Sequence, residues 1–305
     1  VTKETLGRLF GIACLLTLIV LVEKYYGWRN MLAPWAGLSP GAVLISVVLL
    51  FASYTLRAIR LFHHFYAELR GSFLLCFKLM LQHNMFNNLL PMRGGELSFP
   101  ILMSRYFQIS AGRSVPTLLW FRTLDLHTIL GLALAVGFWV QGDSLLGLLF
   151  AVWLPVPWVL FVFARRVGAR LTENGRLSKW LGMLIEGLPP DVTGLWWSWF
   201  WSVLNWLVKL SVFAWVILQF ADLSYAAAWV GATVGELTSV LPVNGVAGAG
   251  TYEAGVVAGM LPFGVSAHAA LPVAVNLHLF ILAASVVGGG LAFLMPTTRS
   301  DPRSV

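Results

Sequence analysis

Residues 88–96 read Asn-Leu-Leu-Pro-Met-Arg-Gly-Gly-Glu, and they interrupt a stretch that is otherwise mostly apolar. On the amino-terminal side, residues 72–90 are apolar but broken by Lys78, Gln82, His83, Asn84, Asn87 and Asn88. On the carboxy-terminal side a second short apolar run continues to Phe107. Neither arm is a clean run of the roughly 20 apolar residues that a helix needs to cross hydrocarbon. A proline-glycine break at membrane depth survives only where protein buries it or where it lines a wet cavity, because lipid offers the freed backbone groups no partners. Residues 71–113 therefore read as a re-entrant hairpin of two broken helices that enters the membrane and returns.

Working outward, the chain has 305 residues, 58% hydrophobic and 11% charged. A soluble domain carries about 25% charged residues, so composition points to a membrane protein. The formal charge is +7. The basic residues sit in short segments between apolar blocks, which suits the positive-inside effect and anionic lipid rather than nucleic acid. Full spans are expected over 6–22, 40–61, 115–140, 145–163, 195–220 and 267–294. The first lacks a convincing small-residue cleavage site and reads as a retained helix. A second irregular stretch, 224–263, holds Glu236, then Leu241-Pro242-Val243-Asn244-Gly245, then Gly248-Ala-Gly250-Thr-Tyr-Glu253. It reads as another membrane hairpin.

The expected fold class is an all-α polytopic membrane protein with about six full spans and two re-entrant hairpins, forming one integral membrane domain over 1–305. Within it, 1–39 carries a peripheral first span and 40–164 a first half with the hairpin 71–113. Residues 165–194 form a basic cytoplasmic loop whose middle suits an amphipathic surface helix. Residues 195–295 form a second half with the hairpin 224–263, and 296–305 a tail. With both termini cytoplasmic in a bacterial inner (plasma) membrane, the basic segments around Arg57 to Arg70, Arg105 to Arg113 and Arg165 to Lys179 all fall inside. The turns at Asp143 and Asp222 fall outside. This works only if the hairpins enter from opposite faces. Leu90-Pro91 followed by glycines and Glu96, and Leu241-Pro242 followed by glycines and Glu253, lie about half a chain apart. Such paired interruptions point to an inverted repeat.

A charge near the bilayer centre costs roughly 2.5–3.5 kcal/mol on insertion scales. Arg122, Asp125, Lys209 and Glu236 lie inside apolar blocks, and Arg93, Glu96 and Glu253 lie in the breaks. These seven are the candidate substrate-binding residues. Arg122 and Asp125 share a helix face at i,i+3, either as a structural ion pair or as a cavity wall. Lys209 calls for a cavity or a carboxylate partner. Arg93 suits a phosphate, or it neutralises Glu96. Glu96 and Glu253 cap backbone N–H groups, pair with a cationic headgroup or carry a proton. Asn84, Asn88, Pro91, Gly94, Gly95, Pro242, Asn244, Gly248 and Gly250 are candidate cavity or hinge positions; Asn84 and Asn88 also suit buried interhelical hydrogen bonding. Gly231 with Gly235 and Gly255 with Gly259 fit close helix packing. Trp196, Trp197, Trp199 and Trp201 suit an interface belt. Cys14 and Cys76 read as packing residues, and His63-His64 lacks a third metal ligand, so no metal and no cofactor is expected. Nucleotide-binding and hydrolase motifs are absent from the sequence, so neither ATP hydrolysis nor another enzymatic activity is expected.

The run from Asn88 to Glu96, the later Arg122-Thr-Leu-Asp125 and the glycine-rich stretch ending in Glu253 resemble the lysylphosphatidylglycerol synthase transmembrane region, a flippase-like membrane domain family. The resemblance runs from about the second span to the last. It implies two re-entrant elements and lipid movement between leaflets, and it assigns Pro91, Arg93, Gly95, Glu96, Arg122, Asp125, Gly250 and Glu253 to a central cavity. Two departures bear on headgroup preference. Phe121 stands where the family often has Glu, and Asn276 and His278 stand in a last span that often carries Arg. The given chain has no soluble aminoacyl-transferase domain, so synthesis of lysyl-lipid is not expected. The leading expectation is a lipid translocase whose cavity lies between the hairpins, with Arg93 and Arg122 meeting phosphate. Its partner would be a phospholipid, a polyprenyl-phosphate glycan or a hopanoid-like lipid; a lipid-modifying enzyme and a second copy of the chain are further candidates. The rivals are a non-transporting membrane partner of a lipid- or glycan-modifying enzyme and an ion-coupled carrier of a small solute.

Overall fold

The computed structural model describes residues 16, 19–20, 23–24, 27–168, 176–240 and 246–297. The expected span 6–22, residues Arg170, Pro242 and Asn244, and the tail from residue 298 lie wholly or mostly outside them, as do the side chains of Pro91 and Arg93. Among the described residues all regular structure is helical. The helices are α1 (Trp28–Ala36), α2 (Pro40–His64), α3 (Phe73–Leu89), α4 (Ser98–Phe107), α5 (Ala111–Gln141) and α6 (Ser144–Trp153). They continue as α7 (Val156–Gly168), α8 (Arg176–Glu186), α9 (Val192–Phe220), α10 (Tyr225–Val240), α11 (Thr251–Met260) and α12 (Ala267–Leu294). A helical turn at Tyr66–Leu69 and 3₁₀ segments at Pro91–Leu97, Val246–Gly248 and Leu261–Phe263 connect them.

Among the described residues, five stretches are long and apolar enough to cross a membrane: α2, α5, the joined pair α6 and α7, α9 and α12. Local chemistry sets their ends. Hydroxyls of Ser39, Ser224 and Ser266 accept the backbone N–H groups of Ala42, Ala227 and Ala269, so the same capping device starts α2, α10 and α12. A cap of this kind satisfies one of the donors that every helix start leaves open. Between α5 and α6, Gly142 takes φ 67° and the Asp143 carboxylate accepts the N–H of Leu145 at 2.8 Å. Glycine carries no Cβ penalty in that left-handed conformation.

One boundary departs from expectation. The sequence reading ends the span at residue 61 and counts Arg57 and Arg60 with the basic segment at its end, but α2 runs through both to His64. Hydropathy ends a span at its first arginines. The helix continues because Arg60 is buried against a carboxylate described below.

The chain packs as two compact units. One comprises Val1–Ser53, Leu81–Glu96 and Leu207–Leu294; the other comprises Tyr54–Met80, Leu97–Trp206 and Met295–Val305. In the second unit, Leu61, Phe65, Leu79, Phe99, Met103 and Leu124 are among the residues of a buried apolar core. Lys78 donates to the carbonyl of Met295 at 2.6 Å, tying the start of α3 to the chain just past α12.

In the first unit, α10 and α11 form a close seam. A Cβ on Gly259 would lie 2.7 Å from the Val230 carbonyl and 2.8 Å from the Gly231 Cα. One on Gly235 would meet Val256, and one on Gly255 would meet Thr238. The small-residue spacing thus lets two backbones approach as closely as expected. Helix α12 is held by side-chain amides. Asn84 and Asn88 of α3 both donate to the Ser285 hydroxyl, at 3.2 and 2.6 Å. Asn276 accepts from the Trp35 indole at 2.6 Å and donates to the Met31 carbonyl at 3.0 Å.

Candidate functional site

Arg122 and Asp125 lie in a cluster in one unit, and Lys209, Glu236 and Glu253 lie in the other. In the unit containing α5, Asp125 is 4% exposed and Arg60 is 5% exposed. The Arg60 guanidinium binds both carboxylate oxygens, Nη1 to Oδ1 at 2.6 Å and Nη2 to Oδ2 at 3.3 Å. From α9, the Ser202 hydroxyl and the Trp206 indole donate to the same Oδ1 at 3.1 and 3.0 Å. Ser202 and Trp206 are four apart and so share a helix face. Thr128, one turn along α5 from Asp125, donates to Ser202 at 3.3 Å. Further hydrogen bonds offset the desolvation of a buried charge pair, and the Asp125 Oδ1 receives three, while the Arg60 Nε has no hydrogen-bond partner among the described residues.

Arg122 lies 3.9 Å from Asp125 Oδ2, and Arg57 also acts electrostatically on that carboxylate while its guanidinium lies 5.7 Å from the Trp206 ring. Three cationic side chains therefore converge on one aspartate. The i,i+3 pairing of Arg122 with Asp125 is present but secondary; Arg60 is the principal partner. Phe121 stacks under Arg60 at 4.4 Å, so its ring serves as a platform for that cation.

In the other unit, Lys209 of α9 meets Glu236 of α10 at 2.7 Å, and its ammonium lies 5.1 Å from the Phe213 ring. The partner that Lys209 calls for is thus a carboxylate one helix away. On α11, Glu253 is 3% exposed. Its Oε2 accepts the Gly250 N–H at 2.7 Å, and its Oε1 lies 2.6 Å from His278 Nδ1 of α12. The Tyr252 ring packs on the imidazole with centroids 4.7 Å apart. Gly248 and Gly250 carry φ values of 80° and 85°, which make the sharp entry that turns Glu253 back onto its own helix start. A Cβ on Gly248 would sit 3.6 Å from the imidazole.

The first break is built differently. Gly95 lies so close to α3 that any Cβ would enter the backbone of Phe86 and Asn87. Gly94 has room around it, and Glu96 is half-buried. Asn84 and Asn88 are engaged with Ser285, the interhelical role, as described above. At the far end of α2, His63 accepts the Trp201 indole N–H at 3.0 Å and packs edge-on against Trp197 and Trp201. Trp196 and Trp197 are exposed, while Trp199 packs on Trp158. Arg60, Ser202, Trp206 and His278 are the site residues that the sequence reasoning left out. The i,i+3 pair Arg57 and Arg60 at the end of an apolar run, and the i,i+4 polar pair on α9, were the available signals.

Apolar helices long enough to cross a membrane, with paired charges buried among them, define an all-α polytopic integral membrane protein. The family model described as the lysylphosphatidylglycerol synthase TM region matches residues 8–289, and the chain belongs to that family. It is accordingly a membrane protein of lipid metabolism or transport. Neither a search of the curated proteins nor one of the solved structures finds a match.

Proposed function

We propose that this protein is a lipid translocase that carries a polar headgroup between leaflets while the acyl or polycyclic part stays in the bilayer. The observation that supports this most directly is the set of ionic side chains held at less than about one-tenth exposure within apolar helices: Arg60, Asp125, Glu236 and Glu253. A headgroup crossing bare hydrocarbon would lose its hydrogen bonds, and groups of this kind replace them. Arg57, Arg60 and Arg122 suit a phosphate, for which guanidinium geometry is well matched. The broken helices are the parts expected to move. On this reading the hairpins are re-entrant, the halves form an inverted repeat, and both termini face the cytoplasm of a bacterial inner membrane. The protein performs no covalent chemistry.

The test uses purified full-length chain in vesicles of phosphatidylglycerol and phosphatidylethanolamine, with headgroup-labelled phosphatidylglycerol or lysyl-phosphatidylglycerol in one leaflet. The expected result is protein-dependent leaflet exchange that falls at least about tenfold in Arg122→Gln, the loss of one charge-assisted contact worth 1.5–3 kcal/mol. A folded protein that exchanges no lipid of either type, yet co-purifies with a lipid-modifying enzyme, would favour the scaffolding role instead.

A further inference from the structure

Glu253 and His278 carry an arrangement that lipid binding alone leaves unused. The Glu253 Oε1 and His278 Nδ1 atoms lie 2.6 Å apart, and both residues are buried. A contact that short between two heavy atoms that are acceptors when unprotonated requires one proton between them. A neutral imidazole protonated at Nδ1 supplies that proton and leaves the dyad at −1, whereas a second proton, on Nε2, makes an imidazolium–carboxylate pair that is neutral overall. Without the second proton, the carboxylate charge is met only by the imidazole Nδ1–H and the Gly250 N–H. Leaving one charge of a buried pair uncompensated is strongly unfavourable. The dyad therefore has two occupancies that differ by a full charge.

The neighbouring charged groups are engaged elsewhere. From α10, the nearest charged group is Glu236, and Lys209 of α9 already balances it at 2.7 Å. From α11 itself, Tyr252 lies within the field of both Glu236 and Glu253, and its buried hydroxyl has no hydrogen-bond partner among the described residues. Helix α3 meets α12 through the uncharged Asn84 and Asn88, and α1 meets it through Trp35 and Met31. No permanent cation therefore contacts the Glu253 carboxylate among the described residues. Tyr252 also packs against Gly235, the residue before Glu236. Its ring therefore touches both the imidazole and the backbone of α10 beside Glu236.

We propose that Glu253 and His278 form a proton-binding site, and that its loading and unloading couple lipid translocation to a transmembrane proton gradient. The inference deepens the translocase reading and rests on it for the coupling, though not for the proton site. In each cycle one proton binds from water at the dyad, forming one N–H or O–H bond, and the same proton later leaves to water; no other bond changes. Loading neutralises the start of α11, next to the left-handed glycines of the second break. Unloading places a negative charge there, which the N–H groups of the helix start and a cationic headgroup moiety then compete to compensate. The occupancy of the dyad thereby sets the charge that a headgroup meets.

The experiment has two arms on the full-length chain. In the first, vesicles of phosphatidylglycerol and phosphatidylethanolamine carry labelled lysyl-phosphatidylglycerol and an imposed gradient of one pH unit, which biases the leaflet distribution by about tenfold per coupled proton. The wild type is expected to show that bias, and His278→Gln and His278→Arg are expected to show a ratio of one with and without the gradient, whatever their absolute rates. Exchange that ignores the gradient in the wild type overturns the coupling and leaves the translocase reading standing. In the second arm, the ring nitrogen signals of labelled histidine are followed against pH in detergent, His278 being assigned by its loss in His278→Gln. The His278 signal is expected to titrate and to move when Glu253→Gln is introduced. An imidazole that holds one state across the whole range in which the protein stays folded overturns the proton site, and it does so even if no lipid is moved.

Discussion

Asp125 shows what a single buried carboxylate demands. It receives Arg60, Ser202 and Trp206 and lies within 3.9 Å of Arg122, so removing its charge strands cations rather than merely deleting one bond. Asp125→Asn preserves shape and is expected to cost about 3–5 kcal/mol, the usual penalty for breaking a buried pair from one side. Adding Arg60→Met to that variant is expected to restore most of the loss. Thermal unfolding in detergent checks both, and a double variant no more stable than Asp125→Asn would show that Arg60 is not the stranded group. At this scale the sequence was partly legible. Lys209 could be seen to need a partner because a charge in mid-span must have one, and Arg122 and Asp125 could be paired by their spacing. Arg60 could not, because its partner lies 65 positions away and hydropathy alone assigns an arginine at a span end to water. His278 was visible as a departure in the last span, but nothing local joins it to Glu253, 25 residues earlier.

Elements were the most legible level. The last span coincides with α12, and the tight turn at Gly142 and Asp143 follows from left-handed glycine and an aspartate cap. The glycine pairs on α10 and α11 signalled a close approach, and the structure supplies the mechanism: backbone of one helix lies where a side chain of the other would begin. Backbone cannot yield as a flexible side chain can. Gly259→Ala is therefore expected to destabilise the protein by about 1–3 kcal/mol, the range for overpacking. Gly290→Ala, whose added methyl would meet nothing within 4 Å, is expected to fall within about 0.5 kcal/mol of the parent. Proteolysis or thermal melts of the two variants side by side check this, and equal stability would mean the seam can open freely. The boundaries of α2 and α9 were read short: α2 continues past residue 61 to His64, and α9 begins before residue 195, at Val192.

For the whole molecule, apolar composition fixes the class, while the proposed orientation rests on where cations gather. The wide apolar exposure of α6 and α7, including Leu148, Val152, Val159 and Phe163, is what a lipid-facing helix pair presents. In a chain carrying Cys14→Ser and Cys76→Ala, a cysteine at Asp143→Cys is expected to react with a membrane-impermeant maleimide from the periplasmic side of intact spheroplasts. One at Arg113→Cys is expected to react only after the membrane is opened, and one at Val159→Cys only after denaturation. Reaction of Asp143→Cys and Arg113→Cys from the same side would refute the proposed topology, because α5 joins them.

The seam between α10 and α11 carries a mechanical consequence. Two rods meshed so closely have no room to slide or to part by a fraction of a turn, so in the proposed cycle they would swing as one blade about the connections at its two ends, before Tyr225 and at Gly264. Stapling the blade shut with a disulfide between Thr238→Cys and Gly255→Cys should then leave its stroke intact. A staple that anchors the blade to α12 instead should stop the stroke altogether.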